Sequence, residues 1–107
     1  MKGREFEKLA EEYLKSKGYK ILGKNIHTRY GEIDILAEYD GKKIVIEVKG
    51  GNKFFPVENF TKKKFLKVLK TSYEIFKGED FQIELIVVYK GKVYHYKNLG
   101  IDYEEVF

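Results

Sequence analysis

The chain has 107 residues, 43% of them hydrophobic and 16% aromatic, which predicts one globular domain over residues 1–107. It contains no cysteine, which excludes a disulfide framework and a thiolate metal site and suits a cytoplasmic protein. The net charge of +4 permits an anionic partner. The N-terminal residues lack the apolar stretch of a signal peptide, and no apolar run approaches the roughly 18 residues of a membrane span, so a membrane protein is not expected.

The beginning of the chain predicts a helix followed by a strand. Apolar residues recur at spacings of three and four from Phe6 to Leu14, which is the stripe of an amphipathic helix. Gly18 follows basic residues and can supply the left-handed cap that ends this helix. Residues 19–27 favour a strand that is interrupted at Gly23.

Two further strands and a second helix are predicted next. Residues 31–50 contain two apolar runs around Asp40-Gly41, a dipeptide typical of a hairpin turn. Residues 50–60 are loop-like, and Thr61 is a candidate N-cap for a helix that ends near Phe76. The residues of this helix expected to face inward are Phe65, Val68, Leu69, Tyr73 and Phe76.

The last part of the chain indicates a mixed sheet. Residues 81–89 have apolar side chains at both parities, the pattern of a strand that is covered on both faces, and Lys90-Gly91 then turns into a final strand. Because a helix between two strands makes a crossover, the strand ending at Lys49 is expected to run parallel to residues 81–89. The sequence therefore predicts an α/β protein of order αβββαββ, with a mixed central sheet flanked by helices.

The hairpin predicts two carboxylates that face each other. Its turn gives a register with an apolar face, made of Ile33, Ile35, Ala37, Ile44, Ile46 and Val48. On the other face, Asp34 lies opposite Glu47 and Glu32 lies opposite Lys49. Charged residues on a strand are usually just solvated, and Glu38 opposite Lys43 fits such an ion pair.

Asp34 opposite Glu47 fits a solvated surface poorly. Like charges directly opposed on a sheet are unfavourable by roughly 0.2–1 kcal/mol when exposed. Placing two carboxylates about 5 Å apart becomes favourable when a divalent cation lies between them, because hard cations take oxygen ligands. Lys49 shares this face with Glu47, so the pattern predicts a functional site.

These residues resemble a known family. Asp34 followed by Glu47-Val48-Lys49 looks like the D-(D/E)-x-K core of the PD-(D/E)XK nuclease superfamily. The segments "GREFEKLAEEYLKSKGYKILGKN", "GEIDILA" and "IVIEVK" resemble the YraN-like family of predicted endonucleases. Four residues match its P-x-E-x-x-T-x-x-K segment: Pro56, Glu58, Thr61 and Lys64. The resemblance covers about residues 3–76, and the loop after the E-V-K element starts with Gly50-Gly51, where relatives usually carry an arginine close by.

The resemblance implies a restriction-endonuclease-like core that hydrolyses DNA phosphodiester bonds, with branched or structured DNA suggested by the related core of Holliday-junction resolvases. Asp34 and Glu47 would hold Mg²⁺ or Mn²⁺. Lys49 would orient the attacking water or stabilise the developing negative charge. Glu7 matches the helix-one glutamate of the family and is either a further metal ligand or an ordinary boundary residue. Glu32 is either a further ligand or the partner of Lys49.

Lysines at the start of the second helix are the candidate DNA contacts. Cations there oppose the helix macrodipole by roughly 0.3–1 kcal/mol each, and a nearby phosphate would offset that effect. Lys64 matches the family lysine and is the first choice for a backbone contact, followed by Lys62 and Lys63. Phe54 and Phe55 either stack on bases or pack against the second helix.

A few other residues receive smaller assignments. Arg29 and Tyr30 precede the GEID strand and are expected to border the site. His27 and His95 have no neighbour at metal-ligand spacing and are interpreted as structural.

Two other classes of function stay open at this point. The alternative to a nuclease is a non-catalytic nucleic-acid or protein-binding module on a nuclease-like scaffold, which would bind DNA in a salt-dependent way without cleaving it. The third is a structural domain whose charged residues are surface pairs. Whether the protein works as a homodimer, which cutting both DNA strands would often require, is also open.

Overall fold

The order of helices and strands is the predicted αβββαββ in the computed structural model, which describes residues 2–52, 60–97 and 99. The elements are α1 (Lys2–Ser16), β1 (Lys20–Thr28), β2 (Gly31–Tyr39), β3 (Lys42–Gly51), α2 (Lys62–Phe76), β4 (Gln82–Tyr89) and β5 (Lys92–Tyr96). Four residues discussed above lie outside the described residues: Phe54, Phe55, Pro56 and Glu58. None of the helices in the described ranges is long and apolar enough to cross a membrane.

One mixed sheet organises the molecule. Its strands lie in the order β1-β2-β3-β4-β5; β3 and β4 are parallel, and the other neighbours are antiparallel. One core cluster contains Ala10 and Leu14 of α1, and the other contains Phe65, Val68 and Phe76 of α2. The fold is therefore the predicted α/β restriction-endonuclease-like core, with a helix on each face of the sheet.

The predicted Asp40-Gly41 turn sets the register between β2 and β3. Asp40 and Gly41 have φ values of 53° and 75°, as a two-residue type I′ turn requires. Pairing from this turn runs from Tyr39–Lys42 to Ile35–Ile46, so the predicted register is confirmed over this length.

The predicted apolar face is wrong at one residue, Ile33. Ile35 packs in the cluster that contains α1, whereas Ile33 packs in the cluster that contains α2. An uninterrupted strand would place both on the same face, because side chains alternate with a period of two. Between them lies Asp34, just beyond the last paired residues of β2 and β3, so β2 changes the face it presents at the candidate site.

Helix α2 begins as predicted and buries Phe65, Val68 and Phe76 as expected, but the prediction is wrong at Tyr73. Thr61 is the N-cap, and its hydroxyl accepts a hydrogen bond from the Lys64 backbone N–H. Tyr73, predicted to face inward, is 59% exposed, whereas Thr71 and Ser72 are fully buried. Both hydroxyls donate to the backbone carbonyl four residues earlier, which satisfies their hydrogen-bonding groups inside the helix.

Gly50 lets α1 approach the end of β3. A Cβ atom at this position would overlap the ring of Phe6, so the glycine is required by packing. We expect Gly50→Ala to lower the free energy of unfolding by about 1–3 kcal/mol, the usual effect of overpacking.

Urea unfolding of a double-mutant cycle checks this explanation. In a Phe6→Ala background the ring is absent, so the added methyl group of Gly50→Ala should cost much less. An equal loss of stability in both backgrounds would show that the Phe6 ring is not the cause.

Candidate active site

Asp34 and Glu47 each bind the backbone of the strand that carries the other. The Val48 backbone N–H donates to Asp34 Oδ2 at 2.8 Å, and the Asp34 backbone N–H donates to Glu47 Oε2 at 3.3 Å. These bonds occur where regular pairing between β2 and β3 has ended. The two carboxylates therefore replace part of the backbone ladder and are held next to each other at the centre of the sheet.

The surroundings of both carboxylates oppose their ionisation. Burial, then the neighbouring Asp34 carboxylate, raises the pKa of Glu47 to about 8, and Glu47 is only 6% exposed. Burial also raises the pKa of Asp34, although the Val48 N–H and the Lys49 charge act in the opposite direction. Strongly shifted carboxyl groups of this kind are typical of functional sites.

Lys49 supplies positive charge beside this pair. Its ammonium lowers the pKa of both Asp34 and Glu47, while the nearby Glu32 raises both. The predicted pairing of Glu32 with Lys49 is not found among the described residues. Glu32 instead approaches His27 Nε2 at 3.6 Å, in register with it across β1 and β2.

Glu7 of α1 faces the same group of charges. Burial and then Asp34 and Glu32 raise the pKa of Glu7, while a hydrogen bond from the Asn25 side chain lowers it. Asn25 has a left-handed φ of 52°, a conformation that asparagine tolerates better than most residues. The described geometry thus brings Glu7 into the electrostatic environment of Asp34.

Asp34 and Glu47 are the oxygen donors at this centre that could bind a divalent cation. In the described ranges, no group of three His, Cys, Asp or Glu side chains stands close enough together to hold a metal ion. Asp34 and Glu47 are adjacent carboxylates, and each has one oxygen that makes no hydrogen bond to another described residue. Two adjacent hard oxygen donors whose ionisation is opposed mainly by burial fit Mg²⁺ or Mn²⁺, whose positive charge would favour the ionised forms.

The predicted DNA-contacting lysines and the residues expected to border the site lie outside the Asp34–Glu47 centre. Lys62, Lys63 and Lys64 are exposed in the first turn of α2, on the helix that packs against the sheet face opposite to α1. Arg29 and Tyr30 lie in the turn that leads into β2. The structure brings Asp34, Glu47 and Lys49 together, with Glu7 nearby, and does not bring the three lysines into contact with them.

The sequence interpretation missed a buried polar network on the α1 side of the sheet. Glu84 is only 3% exposed. Its Oε1 accepts a hydrogen bond from the Tyr19 hydroxyl at 2.8 Å and lies 2.7 Å from His95 Nε2. His95 Nδ1 contacts the Tyr13 hydroxyl at 3.1 Å. The interpretation of His95 as structural agrees with this network, but its partners were not predicted, although an acid within the apolar run of β4 signals that a partner must exist.

Removing one hydroxyl from this network should destabilise the protein. We expect Tyr19→Phe to lower the free energy of unfolding by about 1–3 kcal/mol, because the buried Glu84 carboxyl group loses one of its two hydrogen-bond partners. Tyr39→Phe is the control, since Tyr39 stacks on Tyr19 at 4.4 Å and is 38% exposed. Urea unfolding compares the two, and equal losses would contradict the role given to the Tyr19 hydroxyl.

Fold and site together define a restriction-endonuclease-like α/β protein with a paired-carboxylate centre. The chain belongs to the family described as "Uncharacterised protein family UPF0102", whose model matches residues 6–88. This confirms the predicted membership of the YraN-like family.

Several proteins of this family are similar along almost their whole length. The UPF0102 protein of Aquifex aeolicus is 59% identical over 102 residues, which cover 95% of this chain and 99% of that relative. The UPF0102 protein of Fervidobacterium nodosum is 42% identical, covering 91% of this chain and 80% of the relative.

A solved structure has the same fold. The one described as "Crystal structure of SSO0001" aligns with a TM-score of 0.50 at 16% sequence identity and covers 98% of this chain. This chain spans 59% of the length of that one. At this level of identity the likeness concerns the fold alone.

Proposed function

We propose that this protein is a metal-dependent endonuclease that hydrolyses phosphodiester bonds in DNA. The observation that carries the proposal is the Asp34–Glu47 pair, in which two carboxylates interrupt a buried strand pair and stand beside Lys49. A structural role alone would not need two repelling acids at the centre of a sheet, where apolar residues would pack without that penalty.

Each side chain has a task that follows from its position. Asp34 and Glu47 would hold the cation, with Glu7, whose pKa is raised by burial and then by the Asp34 charge, as a further candidate ligand. When bound, Mg²⁺ or Mn²⁺ would neutralise phosphate charge and make a water molecule more acidic. The Lys49 ammonium, held near both carboxylates, would stabilise the negative charge that develops on the phosphate oxygens.

DNA is the proposed substrate, and Lys64, with Lys62 and Lys63, would contact its backbone away from the reaction centre. All three are exposed in the first turn of α2, which has no acidic residue. Each lysine that neutralises a phosphate should make binding more sensitive to salt. Cytoplasmic location and a homodimer stay predictions.

A cleavage panel tests the proposal. Single-stranded, duplex, flapped and four-way DNA are incubated with the protein, with Mn²⁺, with Mg²⁺ and with a chelator, and products are resolved on denaturing gels. The proposal expects metal-dependent cleavage of at least one substrate. Salt-dependent binding of DNA with no cleavage under any condition would instead support the non-catalytic binding module.

A further inference from the structure

The turn between β1 and β2 exposes an arginine that stacks on a tyrosine. The guanidinium carbon of Arg29 lies 4.9 Å from the centre of the Tyr30 ring. Tyr30 remains 43% exposed in this arrangement, and the Arg29 side chain is 72% exposed. The pair therefore presents to solvent a cation and an aromatic ring that stays partly exposed beneath it.

Local contacts hold this turn in place. The Tyr30 backbone N–H donates to Thr28 Oγ1 at 3.1 Å, and Gly31 lies so close to α2 that an added Cβ would be 3.1 Å from Thr71 Oγ1. Arg29 reaches Glu74 of α2 at 3.9 Å, a long and exposed ion pair that contributes little. The backbone is thus fixed, while the guanidinium can exchange Glu74 for another anion.

The turn lies within reach of the candidate active site. Tyr30 precedes Asp34 by four residues, which span about 13 Å in an extended strand. This length matches the rise of roughly four stacked nucleotides. A DNA strand with one phosphate beside Asp34 and Glu47 can therefore place a nucleotide a few positions away against Tyr30.

We propose that Arg29 and Tyr30 form a binding site for unpaired nucleotides next to the cleaved phosphodiester, with Tyr30 stacking on a base and Arg29 contacting a phosphate. The inference rests on the proposed function and deepens it, since it names single-stranded segments of DNA as the bound form. A base inside a duplex already stacks on its neighbours, so its face is available to a protein ring only when it is unpaired. Arginine suits the second role because its planar guanidinium both stacks on rings and binds phosphate.

Binding without a divalent cation tests this site separately from hydrolysis. The probes are a labelled single strand that carries 2-aminopurine, whose fluorescence reports stacking, and a blunt duplex of the same sequence. The test variants are Tyr30→Leu, which removes the ring, and Tyr30→Phe, which keeps it. Tyr96→Leu is the matched control, since Tyr96 is 36% exposed on β5, at the other edge of the sheet. Thermal denaturation verifies that each variant is folded.

We expect Tyr30→Leu to weaken single-strand binding roughly 5- to 100-fold, the usual effect of losing one base–aromatic stack, and to abolish the quenching of 2-aminopurine. Tyr30→Phe and Tyr96→Leu should bind like the wild type, and the blunt duplex should be affected little. Unchanged single-strand binding by Tyr30→Leu, or an equal loss with Tyr96→Leu, would overturn the inference. If the wild type cleaves DNA with Mn²⁺ while Tyr30→Leu binds the single strand normally, the nucleotide site at Arg29 and Tyr30 is refuted and the proposed endonuclease activity is not. If binding depends on Tyr30 but no cleavage occurs under any condition, the proposed endonuclease activity is refuted and the nucleotide site is not.

Discussion

Asp34→Asn and Glu47→Gln should each reduce metal-dependent DNA cleavage by at least about 100-fold, because each removes one of the two anionic oxygen donors proposed to hold the cation. Both replacements keep an oxygen that can accept the existing backbone hydrogen bond, from Val48 to residue 34 and from Asp34 to residue 47. The fold should therefore survive while the chemistry is lost. Initial cleavage rates with Mn²⁺ give the comparison, and circular dichroism confirms the fold.

Glu38→Gln provides the matched control for these variants. Glu38 is also an acid of β2, but its side chain is 37% exposed and forms an ordinary cross-strand ion pair with Lys43 at 2.6 Å. Its replacement should leave the cleavage rate within about twofold of the wild type, as surface pairs contribute little. If Asp34→Asn or Glu47→Gln cleaved DNA at the wild-type rate, the catalytic assignment would be wrong.

The metal-free protein should lose stability as the pH rises from about 5 to 8. The pKa of Glu47 is about 8 in the folded protein and 4.5 is its ordinary value, so between these values the folded state keeps a proton that the unfolded chain has released. The stabilisation that this bound proton provides is complete below the pKa that Glu47 has in the unfolded chain. It is lost as the pH rises through the pKa that Glu47 has in the folded protein. While Glu47 is the group that titrates, the free energy of unfolding should fall by about 1.4 kcal/mol per pH unit.

Glu47→Gln isolates this effect. The variant has no titrating group at position 47, so its stability should depend less on pH and should exceed that of the wild type at pH 8 and above. Urea unfolding in a chelator, at a series of pH values, measures both proteins. Parallel pH profiles for the wild type and Glu47→Gln would show that the carboxyl group is not held protonated.

The sequence predicted the hairpin well because its turn is determined locally. Asp40-Gly41 adopts the two left-handed conformations that the turn needs, and this alone sets which residues of β2 and β3 pair. Alternation then failed at Ile33, because Asp34 and Glu47 accept backbone N–H groups and end the regular pairing. Periodicity assumes a continuous ladder and cannot show where side chains interrupt it.

Helix α2 shows a second limit of the pattern. Hydrophobicity selects Tyr73 as a core residue together with Phe65, Val68 and Phe76, whereas the structure buries Thr71 and Ser72 beside those three and leaves Tyr73 exposed. Gly31 comes close to Thr71, so this part of the interface has room only for small side chains. Such a close approach depends on where the β1–β2 turn lies relative to the helix, and the hydrophobic pattern of α2 carries no information about that position.

The network of Glu84 and His95 was missed for a related reason. The two residues are on neighbouring antiparallel strands, and they meet because both face the side of the sheet that α1 covers, where Tyr13 and Tyr19 complete the hydrogen bonds. A search for metal-ligand spacing considers only residues close in sequence, so it could not find the partners of His95 on α1 and β4. The more useful signal was Glu84 itself, an acid that a buried strand tolerates only with partners.

Calorimetric titration with Mn²⁺ is the most direct test of the central claim, that Asp34 and Glu47 form a cation site. Measured near pH 7 in two buffers of different ionisation enthalpy, the wild type should bind Mn²⁺ and release about one proton per ion, because binding requires the ionised Glu47 carboxylate. Glu47→Gln should show neither the binding nor the proton release, while Glu38→Gln should show both. No binding by the wild type, or binding unchanged in Glu47→Gln, would contradict the account.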